Sequence, residues 1–234
     1  MNIKDSVVFI TGANRGLGLG FARVALALGA KKVYAGARDT SKVTLAGVTS
    51  VKIDVNDPQQ VAAAAALGSD ATIVINNAGI ASLGGTVGGD STALLREQIE
   101  TNVFGVLNVT QAFAPILAKN GGGAVLNVNS ALSFVNMPML GAYSVSKGAT
   151  WVLTNGIRND LRAQGTLVVG LHAGFIDTDL VRGFPGAKAD PDDVARQGLQ
   201  AIEAGEEEVL VDDTSRQLKG GLAGSLYLKN IFGG

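Results

Sequence analysis

The chain has 234 residues, 47% hydrophobic and 17% charged, a balance that suits one compact domain and excludes a disordered chain. Lys and Arg total 19 against 20 Asp and Glu, a net charge of −1 that leaves no basic footprint for nucleic acid or an anionic membrane. With no cysteine and a single histidine, His172, the sequence excludes disulfides, thiolate chemistry and Cys- or His-rich metal sites.

Met1 to Ser6 carries charge and passes straight into an apolar run, unlike a signal peptide. No uninterrupted apolar run reaches a membrane span, so a cytoplasmic protein with no membrane partner is expected. Residues 7–11 read as the first strand. A glycine-rich segment follows, and residues 17–28 place apolar side chains at helical spacing up to Gly29. Strands two and three are expected at 32–37 and 48–53. Pro58 opens an alanine-rich helix over 58–67, as proline does at a first helical position. Strand four is expected at 72–76, followed by one long helix over 92–117. Gly121 to Gly123 forms a loop before strand five at 124–129. A helix over 143–164 closes at Gly165, and strands six and seven fall at 167–172 and 208–211. Most of these strand runs are apolar without alternation, the look of parallel strands covered on both faces. The expected fold class is α/β, a doubly wound (Rossmann-like) parallel sheet of about seven strands flanked by helices. No linker or internal repeat divides it, so residues 1–234 read as a single domain.

The first strand runs into Thr11-Gly12-Ala13-Asn14-Arg15-Gly16-Leu17-Gly18, and a helix follows. Glycines there let the backbone turn sharply and approach a pyrophosphate. The helix N-terminus offers free N–H groups and the positive end of its dipole. The placement, after the first strand and before the first helix, is the one a dinucleotide site requires. The ribose discriminator of such a fold stands about twenty residues further on. Here the second strand ends Gly36-Ala37-Arg38-Asp39. The Arg38 guanidinium, with Arg15 nearby, would grip a 2′-phosphate through paired donors. NADP(H) is therefore the favoured cofactor. NAD(H) stays open through Asp39, should the strand run two residues longer.

Tyr143 and Lys147 share one face of a helix, being i and i+4. A phenol with an ordinary pKa of about 10 is a poor acid or base at neutral pH, and a nearby ammonium would pull that pKa down. Ser130 ends the fifth strand at its C-terminal edge, where open α/β sheets bind ligands.

Taken together, these motifs strongly resemble the short-chain dehydrogenase/reductase family. Matching in order are Thr11-Gly-x-x-x-Gly16-x-Gly18, Asn76-Asn77-Ala78-Gly79, Ser130 and Tyr143-x-x-x-Lys147, with Asn102 at the family's spacing. The resemblance covers nearly the whole chain. It implies a hydride transfer between nicotinamide and a carbonyl or secondary alcohol carbon. Tyr143 would be the general acid in reduction and the base in oxidation. Lys147 would lower its pKa and hold the nicotinamide ribose, and Ser130 would orient the substrate oxygen. Asn102 would bend its helix and hold a water linked to Lys147. Gly12, Asn14, Gly16, Leu17 and Gly18 would frame the phosphates. Asp54, Val55, Asn77, Ala78 and Gly79 would line the adenosine side. Gly174, Ile176 and Thr178 would meet the nicotinamide amide. The cofactor half would then span about 1–125 and the catalytic and substrate half about 126–234. The rival reading is a cofactor-binding regulator on the same fold without turnover.

The chain departs from the family pattern in having Ala173-Gly174 where Pro-Gly is common. The segments 39–52 and 56–71 are short, so clipped helices are expected there. His172 and Trp151 read as packing residues. Candidate substrate contacts are Leu132, Phe134, Val135, Met137, Met139, Phe175, Leu180 and Phe184, which favour a small apolar carbonyl or alcohol substrate. No charge appears from Thr101 to Ala118, and apolar residues fall on more than one stripe of that helix. A homodimer or homotetramer packed through this helix and the one over 143–164 is expected.

Overall fold

The computed structural model describes residues 1–181, 183, 186–229, 231 and 232. Seven strands form one sheet: β1 Val7–Thr11, β2 Lys32–Ala37, β3 Thr49–Lys52, β4 Ile73–Asn76, β5 Ala124–Val128, β6 Leu167–His172 and β7 Glu208–Leu210. Their spatial order is β3-β2-β1-β4-β5-β6-β7, and every pairing is parallel. The order reverses between β1 and β4. At such a reversal the connecting loops part and leave a crevice at the C-terminal ends of the strands.

The strands read as apolar because both faces are covered. Val8 and Ile10 of β1 enter one layer with Phe21, Leu199 and Ile202. Val7 and Phe9, alternating with them, enter the other layer with Phe113, Leu117 and Ile157. The first layer is built on helices α1 Gly16–Ala27 and α6 Pro191–Ala204. The second rests on α2 Pro58–Leu67, α4 Gly105–Lys119 and α5 Gly141–Leu161. The remaining helices are α3 Ser91–Ile99 and α7 Asp213–Gly220.

Several expectations need correction. β3 is a two-sided exposed edge strand in which Val51 alone is buried, not a covered apolar run. Between β2 and β3 the helix is clipped, as expected, to the 3-10 turn Thr40–Lys42. α2 spans the expected 58–67, and Asp57 caps it by accepting from the Gln59 and Gln60 N–H groups. The helix expected over 92–117 is three pieces in line: α3, a π-helical turn Glu100–Phe104, and α4. By length and composition, 91–119 is long and apolar enough to cross a membrane. Here Val106, Val109, Phe113 and Leu117 of this helix are buried as core. α6 and α7 were not anticipated. Both have clear starts: Asp190 caps α6 ahead of Pro191, and Asp212 exchanges hydrogen bonds with Ser215 at α7.

Candidate active site

A cleft of about 710 Å³ opens at the C-terminal edge of the sheet, along the reversal between β1 and β4. At one end lies the turn after β1. Gly12 has φ +67°, a left-handed conformation that a side chain would strain. Gly18 has a different reason: an added Cβ would lie 2.2 Å from the Gly12 carbonyl oxygen, so glycine lets α1 pack onto the turn. The turn is braced by Thr11, whose hydroxyl accepts from the Asn77 and Ala78 N–H groups, both at 3.0 Å. The Asn77 amide donates to the Thr11 and Gly12 carbonyls, at 2.9 and 3.1 Å. Asn77 thus braces the turn and also lines the cleft. The residue at the head of α1 is Arg15, which makes no side-chain cap. The first N–H groups of the helix are left for a ligand. Gly12, Asn14, Arg15, Gly16 and Leu17 all line the cleft.

Arg38 stands at the end of β2, exposed and on the cleft wall. β2 stops at Ala37, so the longer strand that would have favoured Asp39 is not formed. The Asp39 carboxylate accepts from the Ser41 N–H and hydroxyl and lies 3.5 Å from Lys42. Arg15 pairs with Asp179 at 3.0 Å across the mouth of the cleft. Asp54, Val55, Ala78, Gly79, Gly174, Ile176 and Thr178 also line the cleft. Gly174 N–H donates to Asp212 at 2.6 Å, which fixes the loop after β6 where a proline is missing.

Ser130, Tyr143 and Lys147 all line the cleft. Ser130 follows β5, and its hydroxyl accepts from Leu132 N–H at 3.1 Å. It also acts on the Tyr143 phenol, favouring the ionised form. Burial pushes the Tyr143 phenol up to about 12, and the Ser130 contact offsets part of that rise. Burial pushes the Lys147 ammonium down to about 8. The Tyr143 pKa thus ends above its ordinary value, not below it as expected from Lys147. Lys147 Nζ donates to the Val128 carbonyl at 2.7 Å and stands 5.7 Å from the centre of the tyrosine ring, so desolvation wins.

Asn102 is fully buried in the π-helical turn. Its Oδ1 accepts from Ile80 N–H at 2.8 Å, and its Nδ2 donates to the Ile80 carbonyl and the Ser146 hydroxyl, both at 2.9 Å. Thr150 on α5 donates to the Asn102 carbonyl at 2.9 Å. Asn102 thus ties the loop after β4 to the helix that carries Tyr143 and Lys147.

Of the expected substrate contacts, Leu132, Met137 and Phe175 line the cleft. Phe134 and Val135 do not, being buried in a third apolar cluster with Leu140 and Leu218. Met139 is 57% exposed, and it too is off the cleft. Phe184 and the Leu180 side chain lie outside the described residues. Sequence reasoning missed Thr214, Leu218 and Phe232, which also line the cleft. The capping pattern from Asp212 to Ser215 was the available signal for the first two. His172 and Trp151 pack as expected, with Phe134 between them.

A family model for the short chain dehydrogenases matches residues 6–188. Dehydrogenase/reductase SDR family member 7B of Mus musculus is 32% identical over 194 residues, 76% of this chain. The match spans 60% of that longer relative's length. A solved short chain dehydrogenase from Burkholderia cenocepacia, in complex with NADP, is 35% identical and superposes with a TM-score of 0.93. That superposition covers 98% of this chain and 100% of the other. A 3-ketoacyl-(acyl-carrier-protein) reductase from Brucella melitensis, complexed with NADH, is 25% identical with a TM-score of 0.80 over 89% of this chain and 97% of its own. The seven-stranded parallel sheet and these matches lead to one conclusion: the chain belongs to the short-chain dehydrogenase/reductase family.

Proposed function

We propose that this protein is an NADP(H)-dependent oxidoreductase that interconverts a small apolar carbonyl compound and its alcohol. The observation that carries the reading is the meeting of Ser130, Tyr143 and Lys147 in the one cleft that also ends on the uncapped N-terminus of α1. When bound, the nicotinamide nucleotide supplies or takes the hydride. The chain does the rest. The turn from Gly12 to Gly18 holds the phosphates, and Asp54, Val55, Asn77, Ala78 and Gly79 flank the adenosine. Gly174, Ile176 and Thr178 hold the nicotinamide amide, and Lys147 the adjacent ribose. Ser130 orients the substrate oxygen, and Tyr143 exchanges a proton with it. Asn102 keeps the tyrosine helix in register with the loop after β4. Leu132, Met137, Leu218 and Phe232 give the pocket its apolar end. The rival regulatory reading has no observation in its favour, since the whole proton-handling group is assembled.

The preference for NADP(H) is supported by Arg38 on the cleft wall and by the Asp39 carboxylate being engaged with Ser41 and Lys42. The similar protein solved with NADP points the same way, while a less similar one carries NADH. The test is a panel of carbonyl compounds assayed with NADPH and NADH in parallel. Arg38→Ala removes charge-assisted hydrogen bonds worth about 1.5–3 kcal/mol. It is expected to weaken NADPH roughly ten-fold or more and leave NADH nearly unchanged. Equal wild-type efficiency with both nucleotides would overturn the preference, and no turnover with any carbonyl would overturn the activity.

The reading extends to assembly. Phe104 is 46% exposed beside α4, and Val145 and Val152 on α5 are 39% and 65% exposed. Gly156 on the same helix faces open space. Apolar side chains next to a glycine notch let two helices approach across a two-fold axis. Light scattering at micromolar concentration is expected to give a multiple of the 23.8 kDa chain mass. A monomer mass would refute it.

A further inference from the structure

The single histidine of the chain is fully buried at the end of β6, beside the strand that leads to Ser130. Its Nδ1 stands 3.1 Å from the Ser130 carbonyl oxygen. A carbonyl only accepts, so Nδ1 carries the proton in this contact. Nε2 is then the bare nitrogen. It lies 3.6 Å from Glu208 Oε1, beyond hydrogen-bond reach, and is buried without a partner among the described residues. The Asn129 amide stands on that side of the ring. A Cβ added to Gly170 would lie 3.2 Å from Asn129 Nδ2 and 3.5 Å from His172 Nε2. Phe134 stacks on the ring with centroids 4.6 Å apart, and Trp151 meets its edge at 6.4 Å. The imidazole therefore has a fixed plane and a fixed tautomer.

The charged groups around it are Glu208 on β7, Lys219 on α7, and Lys147 and Arg158 on α5. Burial, helped by the three cations and opposed by the Ser130 contact, pushes the ring pKa down to about 4. The ring is neutral throughout the working range of the site.

Ser130 is otherwise held within its own turn. Its N–H donates to the Ser133 hydroxyl at 3.2 Å, and its carbonyl accepts from Ser133 N–H at 3.0 Å. The His172 contact is the side-chain tie from the neighbouring strand, and it uses the second lone pair of the same carbonyl. We propose that His172 is a positioning residue for the reaction: it clamps the Ser130 carbonyl and so holds the Ser130 hydroxyl against the Tyr143 hydroxyl and the substrate oxygen. The inference rests on the role given above to Ser130.

Three substitutions separate the atoms. His172→Asn places an amide N–H where Nδ1 stands, His172→Gln places it nearer Nε2, and His172→Leu has none. Asn is expected to keep kcat within about three-fold of wild type, whereas Gln and Leu lose about ten-fold, the scale of one hydrogen bond. The nucleotide Kd is expected to stay constant in all three. In a Ser130→Ala background the penalty of His172→Leu should vanish, because coupled residues are not additive. Full activity of Ser130→Ala would overturn the role of Ser130 itself. A damaged Ser130→Ala beside a folded His172→Leu with wild-type kcat, or additive losses, would overturn the clamp alone. Should the variants fail to fold, the wild-type protein decides. With one histidine, its ¹⁵N spectrum reports a single ring, expected as Nδ1–H with a bare Nε2 from pH 8 down to about 5. An Nε2–H tautomer would overturn the proposal.

Discussion

Tyr143→Phe is expected to abolish carbonyl reduction while nucleotide binding survives. The substitution keeps the ring in its place at the cleft and removes one hydroxyl. That hydroxyl is the proton donor. Burial holds its pKa at about 12, so it is fully protonated at neutral pH and ready to give its proton to a nascent alkoxide. General acid catalysis by a placed side chain contributes about 10²–10⁴ in rate. A loss of at least 10² in kcat is therefore expected, about 2.7 kcal/mol of transition-state stabilisation. The raised pKa also sets a direction. Oxidation needs the phenolate, which is scarce at pH 7, so oxidation should quicken as pH rises while reduction dominates near neutrality. Steady-state kinetics in both directions and a nucleotide titration check this. Activity within three-fold of wild type would take Tyr143 out of the role.

Much of this site was legible because each piece has a one-dimensional signature. The Gly12 to Gly18 turn sits between a strand and a helix, and Tyr143 and Lys147 are one helical turn apart. Ser130 ends an apolar run. These features are local, so composition and spacing reveal them. What was not legible depends on contacts distant in the chain. The rise of the Tyr143 pKa comes from burial, which no spacing encodes. The hydrogen bond from Lys147 to the Val128 carbonyl spans two elements and turns the ammonium away from a simple pairing with the phenol. The π-helical turn around Asn102 looks like ordinary helix in sequence and is explained by Ile80, Ser146 and Thr150. Phe134 and Val135 were placed in the pocket because they follow a strand. A cluster with Leu218 of the unanticipated α7 draws them inward instead. β3 failed as a covered strand because it ends the sheet, and edges are decided by topology.

Reduction is expected to slow as pH rises through about 8, and Lys147→Met to remove that dependence along with most of the rate. Lys147 is 6% exposed, and burial holds its pKa at about 8. The sign follows from the charge. Below that pH the side chain is an ammonium, and above it a neutral amine. When Tyr143 gives up its proton, a phenolate is left near this group. The ammonium favours it by opposite charge in a site largely closed to water, where such a charge counts for more than in bulk solvent. The amine offers nothing comparable, so kcat for reduction should fall about ten-fold per pH unit above 8. Methionine has similar length, suits a buried position, and cannot titrate. Its variant should run at least 10² below wild type near pH 7, with a flat profile from pH 7 to 9.5. Its nucleotide KM should also rise, because Lys147 is the residue assigned to the ribose. A single variant thus separates three contributions: level, slope and nucleotide affinity. A wild-type profile that stays flat across pH 7 to 9.5, or a Lys147→Met kcat within three-fold of wild type, would show that the phenolate is stabilised by something other than this charge.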